Sequence, residues 1–366
     1  RDWSSDVCSS DLAILERRGA RTALITTKGF RDVLEIGRLR TPRLYDINWS
    51  KPAPLVPRRH CFEVDERITA DGGVLRPLDE AALIVLAGKL VESGIESVAI
   101  CFINAYANVA HEVRAREILS EHCPQIDISI SSEVLREMRE FERTSTTVAN
   151  AYVRPTMRRY LQLLVERLGE HRIRRGIYVM QSNGGLLGLE DTVRRPVYAI
   201  ESGPAAGVIG ARRLCQSIGM ENAITLDMGG TTAKASIIEN GRIEYSPEIE
   251  IGGEISRSSR LIKGSGYLIR TPAIDVAEVG AGGGSIAWPA SAAGLKAGPI
   301  RPSSSSLWEA TPCTNSRNHL LSGATMLALL SSESASSPLS SGSWHQRFWK
   351  NSSNTASAPA SARSIS

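Results

Sequence analysis

Residues 223–245, AITLDMGGTTAKASIIENGRIEY, place an acidic side chain directly before a turn of small residues. The pattern predicts an apolar strand ending at Asp227, a Gly-Gly-Thr-Thr turn, a second strand, and a third strand after Asn240-Gly241. Gly229 and Gly230 would let backbone N–H groups face a ligand with no Cβ in the way. The bend is therefore a candidate phosphate-binding turn.

Three neighbouring side chains add to this chemistry. Thr231 and Thr232 supply hydroxyl donors, and Lys234 supplies a cation. The carboxylate of Asp227 is expected to hold Mg²⁺ through water, because that ion keeps part of its hydration shell in proteins. A six-residue match is also what an ordinary hairpin turn would show, so the surrounding sequence has to decide between the two interpretations.

A second small-residue junction occurs at 201–211, ESGPAAGVIGA. A strand is predicted over Val197–Glu201, followed by a helix with Ser202 as its capping residue and a proline in its first turn. The amides of Ser202 and Gly203 would then lie at a helix start, where an anion can bind. The alternative is that the glycines of this helix only allow close packing against the sheet.

A third bend follows residue 279, with glycines at 280, 282, 283 and 284 between two apolar strands. Gly280, Gly282, Gly283 and Gly284 could form a backbone nest for phosphate or pass beneath an adenine ring, and they could equally form a flexible turn. Each bend alone is weak evidence. Together, the three bends fit one nucleotide held between strand ends and a helix start.

The elements upstream alternate between strand and helix. Strands are predicted at Thr22–Thr27, Ser97–Phe102 and Ile126–Ser131, with helices at Glu80–Ser93, capped by Asp79, and Ala110–Leu119. This alternation is typical of a layered α/β fold with a parallel sheet.

The next segments read as helices. A charged helix is predicted over Glu133–Glu142, and an apolar-periodic segment follows over Thr144–Leu168. Pro155 should divide that segment into two helices or kink it, because an interior proline costs about 3 kcal/mol.

The composition is that of an ordinary globular chain, with 42% hydrophobic and 22% charged residues among 366. No apolar run approaches the roughly 18–20 residues of a membrane span. The net charge of +4 owes part of its excess to an acid-poor C-terminal stretch, so no nucleic-acid partner is predicted. Four of the six cysteines lie between residues 13 and 300 without metal-ligand or disulfide spacing, which favours reduced thiols in the cytoplasm.

Both ends of the chain look foreign to the rest. Residues 1–12, RDWSSDVCSSDL, resemble a translated sequencing adapter, and residues 301–366 contain 20 serines in 66 positions with no Asp, as a shifted reading frame would give. The expected natural sequence is therefore 13–300, divided into an N-terminal part at 13–135 and a second part at 136–300 that carries the phosphate turn. A helix that begins mid-pattern at Ala13 implies that upstream sequence is missing.

No general base can be assigned. His60, His111 and His122 are single histidines in loops or on helix faces, and each is better explained as a solvated or packed residue than as a catalyst. The adjacent pairs His60-Cys61 and His122-Cys123 lack zinc spacing.

With these residues in view, the chain resembles the hydantoinase A/oxoprolinase family, which includes subunits of acetone-carboxylase-type enzymes. The resemblance rests on seven stretches that occur in family order: LERRGARTALITTKGFRDVLEIGR at 15–38, VAICFINAYANVAHE at 98–112, EFERTSTTVANAYVRP at 140–155, YVMQSNGGLL at 178–187, ESGPAAGVIGA at 201–211, LDMGGTTAKASII at 226–238 and VGAGGGSIAW at 279–288.

The resemblance implies an actin-like ATPase (ribonuclease-H-like) fold, with two related α/β domains around a nucleotide. It implies ATP and Mg²⁺ as cofactors, a small cyclic amide such as a hydantoin or 5-oxoproline as substrate, and a possible B-type partner subunit. Residues 227–232 would be the second phosphate-binding hairpin, and the glycines at 280–284 would lie near the nucleotide. The family's first phosphate hairpin, D-x-G-G-T-F-T-D, and its later S-A-G-A-D-P-G-P-A-C-Y segment are both absent. A chain truncated in this way is expected to lack half of its phosphate clamp and to be inactive.

Two other classes of function stay open. One is an ATP-using carboxylase subunit that activates a ketone or bicarbonate, and the other is a non-catalytic scaffold or gene fragment. The hypothesis that the resemblance favours is ATP-dependent opening of a cyclic amide through phosphorylation of the amide oxygen.

Overall fold

The computed structural model describes 13–38, 45, 47–171, 176–229, 232–252, 266–279, 282, 286–290, 294–298 and 324–329. Residues 1–328 form one unit and residues 329–366 a second, of which only Leu329 is described. The predictions of an adapter-derived start and of a frame-shifted end fall on residues that lie almost wholly outside these ranges.

Residues 13–15 are helical, and the described chain contains seven further α-helices and nineteen strands. The helices are α1 (Val33–Ile36), α2 (Glu80–Glu92), α3 (Ala110–His122), α4 (Ser131–Val134), α5 (Glu140–Glu170), α6 (Leu189–Arg194) and α7 (Ser202–Ser217), with 3₁₀ turns at Arg58–His60 and Pro196–Ala199. The first eight strands are β1 (Thr22–Thr27), β2 (Cys61–Val64), β3 (Arg67–Ile68), β4 (Val74–Arg76), β5 (Ser97–Cys101), β6 (Asp127–Ile130), β7 (Tyr178–Met180) and β8 (Leu186–Gly188). The remaining strands are β9 (Ala223–Met228), β10 (Ala233–Glu239), β11 (Arg242–Ile243), β12 (Tyr245–Ser246), β13 (Ile249–Ile251), β14 (Tyr267–Ile269), β15 (Ala273–Ile274), β16 (Ala277–Val279), β17 (Ile286–Ala290), β18 (Gly294–Gly298) and β19 (Ala324–Leu329).

The N-terminal half is built on a parallel sheet of order β2-β1-β5-β6. Every residue of β1, β5 and β6 is buried, which is what their continuous apolar runs require in a sheet covered on both faces. Helices α2 and α3 pack on one face through residues such as Leu83 and Ile118, and α5 covers the other through Val148 and Ala151. The predicted α/β layering with a parallel sheet is confirmed. Asp79 also caps α2 as predicted, its carboxylate accepting a hydrogen bond from the amide of Ala82 at 3.0 Å.

Helix α5 is the central support of the molecule, and it differs from its prediction. It runs unbroken for 31 residues with Pro155 inside it. Buried side chains on both sides of the proline, Val153 and Met157, pack into two different clusters, and their burial offsets the hydrogen bond that the proline lacks. The predicted helix over Glu133–Glu142 is wrong, because α4 ends at Val134 and α5 begins only at Glu140.

A second sheet of order β11-β10-β9-β19 forms the C-terminal part, and β16 pairs with the turn end of β10. Strands β9 and β10 make the predicted antiparallel hairpin, and β11 follows the Asn240-Gly241 turn, where both residues have positive φ. Helix α7 packs on this hairpin through Ala205, Val208 and other small apolar residues. The four cysteines of the described chain are free and buried, as predicted.

Glu112 is fully buried at the end of the parallel sheet. Its carboxylate accepts hydrogen bonds from the amide of Phe102 at 3.0 Å, the hydroxyl of Ser131 at 2.6 Å and the amide of Ser132 at 2.8 Å. Burial raises the pKa of this carboxyl, and the three donors only partly oppose that shift.

This pKa shift predicts a pH dependence of stability. The folded state holds the Glu112 proton to a higher pH than the unfolded state does, so the free energy of unfolding should fall as pH rises from about 4.5 through the folded-state pKa. Glu112→Gln should remove this pH-dependent part. It should also lower stability by about 1–3 kcal/mol, because an amide cannot accept at both oxygen positions. Denaturant unfolding over a pH series measures both effects, and an unchanged pH slope in the variant would contradict the assignment.

Candidate functional site

The β9–β10 hairpin presents a row of charged side chains one residue pair from its turn. Asp227 on β9 lies directly opposite Lys234 on β10, and Lys234 lies opposite Glu278 on β16. Opposed residues of antiparallel strands project from the same face of a sheet, so these three side chains share one face. All three are partly exposed.

The residue before α7, Glu201, contacts this row of charged side chains. Lys234 Nζ is 2.8 Å from Glu201 Oε2, just before the first helical residue, and 3.7 Å from Glu278 Oε1. Lys234 and Glu201 are nearly buried, with side chains that are 10% and 16% exposed. One cation thus joins the hairpin, the helix start and the strand that leads into the glycine-rich bend. β16 ends at Val279 beside Ala233, and Lys234 pairs with Glu201, so the last residues before the glycine-rich bend and the start of α7 both lie at the turn end of the hairpin.

The sequence did not point to Ser182 as part of this arrangement. Its side chain is almost wholly buried, and its hydroxyl donates to the carbonyl of Tyr198 at 2.9 Å and accepts from the amide of Glu201 at 3.3 Å. Its own carbonyl accepts from the amide of Ile274 at 2.9 Å. The 181–185 loop therefore fixes the chain immediately before α7, and the only sequence signal for it is the glycine pair that closes the loop.

The predicted site residues are partly within the described chain. Asp227, Gly229, Thr232, Lys234, Ser202, Gly203 and Gly282 are described, whereas Gly230, Thr231, Gly280, Gly283 and Gly284 lie outside the described residues. Gly229 donates its amide to the carbonyl of Thr232 at 2.9 Å, so this N–H closes the turn and does not face a ligand. Lys234, predicted as a free phosphate-binding cation, is instead held by the two carboxylates.

The helix start also differs from its prediction. Pro196–Ala199 is a 3₁₀ turn, so the predicted strand over Val197–Glu201 is wrong. The amide of Val197 donates a hydrogen bond to the side-chain oxygen of Asn150 on α5 at 3.3 Å. In a strand this amide would instead donate to a carbonyl of a neighbouring strand. Glu201 is the N-cap residue and Ser202 the first helical residue, so Ser202 does not cap the helix as predicted. Its amide and that of the exposed Gly203 belong to the first turn, where N–H groups have no partner within the helix.

The Asp227 carboxylate makes no hydrogen bond or ion pair with the described residues and is open to solvent on one side. Three or more His, Cys, Asp or Glu side chains arranged to bind a metal are not found anywhere in the described ranges. The donor set therefore fits a cation that keeps most of its water and takes one protein carboxylate, which is the behaviour of Mg²⁺ beside a nucleotide. Among the described residues the row holds three carboxylates, Asp227, Glu201 and Glu278, against one lysine, and this excess of negative charge disfavours a nucleotide without its metal.

The histidines are placed as packed or solvated residues. His111 Nδ1 is 2.7 Å from the buried Glu66, whose other oxygen accepts from the hydroxyl of Thr27. His122 Nδ1 contacts the carbonyl of Ile118 at 2.8 Å. His60 closes a 3₁₀ turn, and burial lowers its pKa. None of the three reaches the charged row through a described contact.

Comparison with known proteins places this site in a family. Residues 143–309 match the hydantoinase/oxoprolinase model, and residues 12–123 match the model of the hydantoinase/oxoprolinase N-terminal region. The chain therefore belongs to the hydantoinase/oxoprolinase family, as the sequence resemblance indicated. Within the described chain, no helix has the length and apolarity to cross a bilayer.

Relatives by sequence include proteins that act on cyclic amides. The chain is 47% identical to an uncharacterized protein of Methanocaldococcus jannaschii over 280 residues, which are 76% of this chain and 41% of the relative. It is 36% identical to the caprolactamase subunit alpha of Pseudomonas jessenii over 280 residues, 75% of this chain and 38% of that subunit. It is 33% identical to the 5-oxoprolinase of Saccharomyces cerevisiae over 306 residues, 74% of this chain and 22% of that enzyme. The chain thus spans 41% or less of the length of these relatives.

Two solved structures are also similar to this chain. The crystal structure of the ATP-dependent caprolactamase from Pseudomonas jessenii matches with a TM-score of 0.63 at 34% identity, covering 79% of this chain and 40% of that chain. The nucleotide-free structure of acetone carboxylase matches with a TM-score of 0.68 at 24% identity, over 80% of this chain and 41% of that one, a likeness of fold.

The Lys234 ion pair predicts a stability effect. Lys234→Met should lower the free energy of unfolding by about 3 kcal/mol, because the ion pair between Lys234 and the nearly buried Glu201 is lost. The matched control is Arg114→Met, since Arg114 pairs with Glu80 on the surface and exposed pairs contribute little. Urea unfolding of both variants measures the difference, and equal behaviour of the two would show that the Lys234 pair does not join the segments.

Proposed function

We propose that the protein binds Mg-ATP at the turn end of the β9–β10 hairpin and uses it to open a cyclic amide, within an actin-like ATPase architecture. The observation that carries the proposal is the pairing of Lys234 on the hairpin with Glu201 before α7 and with Glu278 on β16, since each of these segments adjoins one of the predicted bends. Similarity to the caprolactamase subunit and to 5-oxoprolinase supports the ATP-dependent hydrolase class. When bound, ATP would supply a phosphoryl group to the amide oxygen, which would make the amide carbon more open to attack by water before the ring C–N bond breaks.

The proposed role of each residue in binding Mg-ATP follows from its position and charge. Asp227 would hold the hydrated metal ion, since its carboxylate has no competing protein partner among the described residues. The first-turn amides of Ser202 and Gly203 would donate to phosphate oxygens. Lys234 would position the start of α7 against the hairpin, because its ammonium forms ion pairs with Glu201 and Glu278. Thr232 and the glycines at 229, 230 and 280–284 would leave room for the phosphates.

The substrate is proposed to be a small cyclic amide of the hydantoin, lactam or 5-oxoproline type. Similarity to a caprolactamase alpha subunit also supports a second, B-type subunit as partner. The four free, buried thiols support a reducing compartment, the cytoplasm. The carboxylase alternative predicts ATP hydrolysis stimulated by a ketone with bicarbonate instead of by a cyclic amide, so a substrate panel separates the two.

Titration calorimetry of the full-length protein with Mg-ATP tests the nucleotide proposal. We expect saturable binding that requires Mg²⁺, because the net negative charge of the row repels the free nucleotide. Binding of ATP with equal strength in EDTA would contradict the role given to the metal. No heat with Mg-ATP would contradict the ATPase class and favour a scaffold.

A further inference from the structure

A buried asparagine on α5, Asn150, holds three other segments of the chain. Its side-chain nitrogen donates to the hydroxyl of Ser129 on β6 and to the carbonyl of Arg194 at the end of α6, both at 3.1 Å. Its side-chain oxygen accepts from the amide of Val197 at 3.3 Å. Asn150 and Val197 are both 0% exposed, so the Val197 amide has no access to water as an alternative partner. Asn150 therefore ties the segment that carries Val197 to the N-terminal parallel sheet.

The segment that carries Val197 leads directly into α7. Within it, the carbonyl of Tyr198 accepts from the amide of Ser182 at 2.7 Å and from the hydroxyl of the same residue at 2.9 Å. The Ser182 hydroxyl in turn accepts from the amide of Glu201 at 3.3 Å, and Glu201 pairs with Lys234 at 2.8 Å. A continuous series of contacts thus runs from β6 of the parallel sheet to the β9–β10 hairpin.

This series of contacts sets the position of the first turn of α7. The backbone of residues 197–201 is held from outside by Asn150 and Ser182, which lie in other parts of the chain. The amides of Ser202 and Gly203, the proposed phosphate donors, follow immediately in the first turn. Binding groups have to be held close to their productive geometry, because a displacement of about 1 Å can cost much of their effect.

We propose that Asn150 is a positioning residue of the nucleotide site. Through Val197 it fixes the start of α7, so that order in residues 195–203 and the binding of Mg-ATP favour each other. The inference rests on the proposed function for its ligand. It adds a residue that contacts neither nucleotide nor metal and through which the parallel sheet controls the affinity of the site.

Hydrogen exchange of the full-length protein without nucleotide tests whether Asn150 orders this segment. Asn150→Ala leaves the Val197 amide without its acceptor, so exchange in peptides that cover 195–203 should become about 10-fold faster. The matched control is Thr147→Ala on the same helix. Thr147 is also fully buried, and its hydroxyl donates within the helix, to the carbonyl of Arg143 at 2.7 Å, so exchange in 195–203 should not change.

Mg-ATP should slow exchange in the same peptides of the unmodified protein, because coupling between two events is reciprocal. Ser129→Ala provides a milder test of the same support, since it removes one partner of Asn150 and keeps the bond to Val197. It should speed exchange in 195–203 by about 3-fold, and it applies where Asn150→Ala does not fold.

Calorimetric affinities of the full-length protein for Mg-ATP separate positioning from a general loss of stability. Asn150→Ala and Ser182→Ala each remove one support of the start of α7, so each should weaken binding about 10-fold, whereas Thr147→Ala should not. Because both supports act on one segment, the double variant should fall well short of the loss of about 100-fold that independent effects would give.

Unchanged exchange in 195–203 of Asn150→Ala, full Mg-ATP affinity in that variant, or equal losses in Thr147→Ala would overturn the proposal. A loss of about 100-fold in the double variant would overturn it too, since the two side chains would then act separately. If the exchange rates respond as expected and the unmodified protein binds no Mg-ATP, the proposed function fails, and Asn150 stands as the residue that orders the start of α7.

Discussion

In the full-length protein, Asp227→Asn is expected to lower ATP hydrolysis on the order of 100-fold, equal to about 2.7 kcal/mol of transition-state stabilisation. The substitution keeps the size of the side chain and removes the charge that would hold the metal ion. Asp227 has no protein partner among the described residues, so the free energy of unfolding should stay within about 0.5 kcal/mol of the unmodified protein. Steady-state phosphate release and urea unfolding measure the two quantities.

The matched control is Asp191→Asn. Asp191 lies on α6 with a half-exposed side chain, 3.6 Å from the guanidinium of Arg195. Its replacement should leave ATP hydrolysis unchanged, because an exposed ion pair contributes little and Asp191 makes no described contact with the charged row. Full turnover in Asp227→Asn, or an equal loss in the two variants, would remove Asp227 from the nucleotide site.

Gly184→Ala should lower the free energy of unfolding by about 3 kcal/mol. Gly184 has a φ of +83°, which an L side chain rarely adopts, and an added Cβ would lie 2.0 Å from the end of the Ile209 side chain on α7. Ile209 would have to move and lose packing, so backbone strain and overpacking add. Because the 181–185 loop fixes the start of α7 through Ser182, Mg-ATP binding should weaken as well.

Gly188→Ala provides the comparison for this effect. Gly188 has a φ of −67°, and a Cβ built there would meet nothing within 4 Å. The same chemical change should therefore be neutral or slightly stabilising. If calorimetric melting shows similar losses for both variants, the close packing of Gly184 against α7 is not what holds the loop.

The sequence predicted those elements whose residues carry a strong local signal. The strands of the parallel sheet appear as continuous apolar runs. The Gly-Gly-Thr-Thr turn marks the β9–β10 hairpin and Asn240-Gly241 marks the turn into β11, so these elements follow from local rules. Val197–Ala199 was misassigned because an apolar run of a few residues fits a strand and a 3₁₀ turn equally well. Only the contact with Asn150, 47 positions away, decides between them.

The sequence predicted the three bends of the site but not the contacts between them. Small residues mark bends wherever they occur, so the three bends could be found without any knowledge of contacts. The pairing of Lys234 with Glu201 joins residues 33 positions apart, and no local pattern encodes it. A cavity lined by Leu34, Phe141 and Glu250 could not be predicted from the sequence at all, because these residues come from distant parts of the chain and share no motif.

A structure of the protein with Mg²⁺ and a non-hydrolysable ATP analogue tests the central claim most directly. We expect the phosphates within hydrogen-bonding distance, about 3 Å, of the amides that begin α7, with the metal ion on the Asp227 side of the hairpin turn. An analogue bound elsewhere, with Asp227 and the start of α7 untouched, would contradict the claim that these bends surround a single nucleotide.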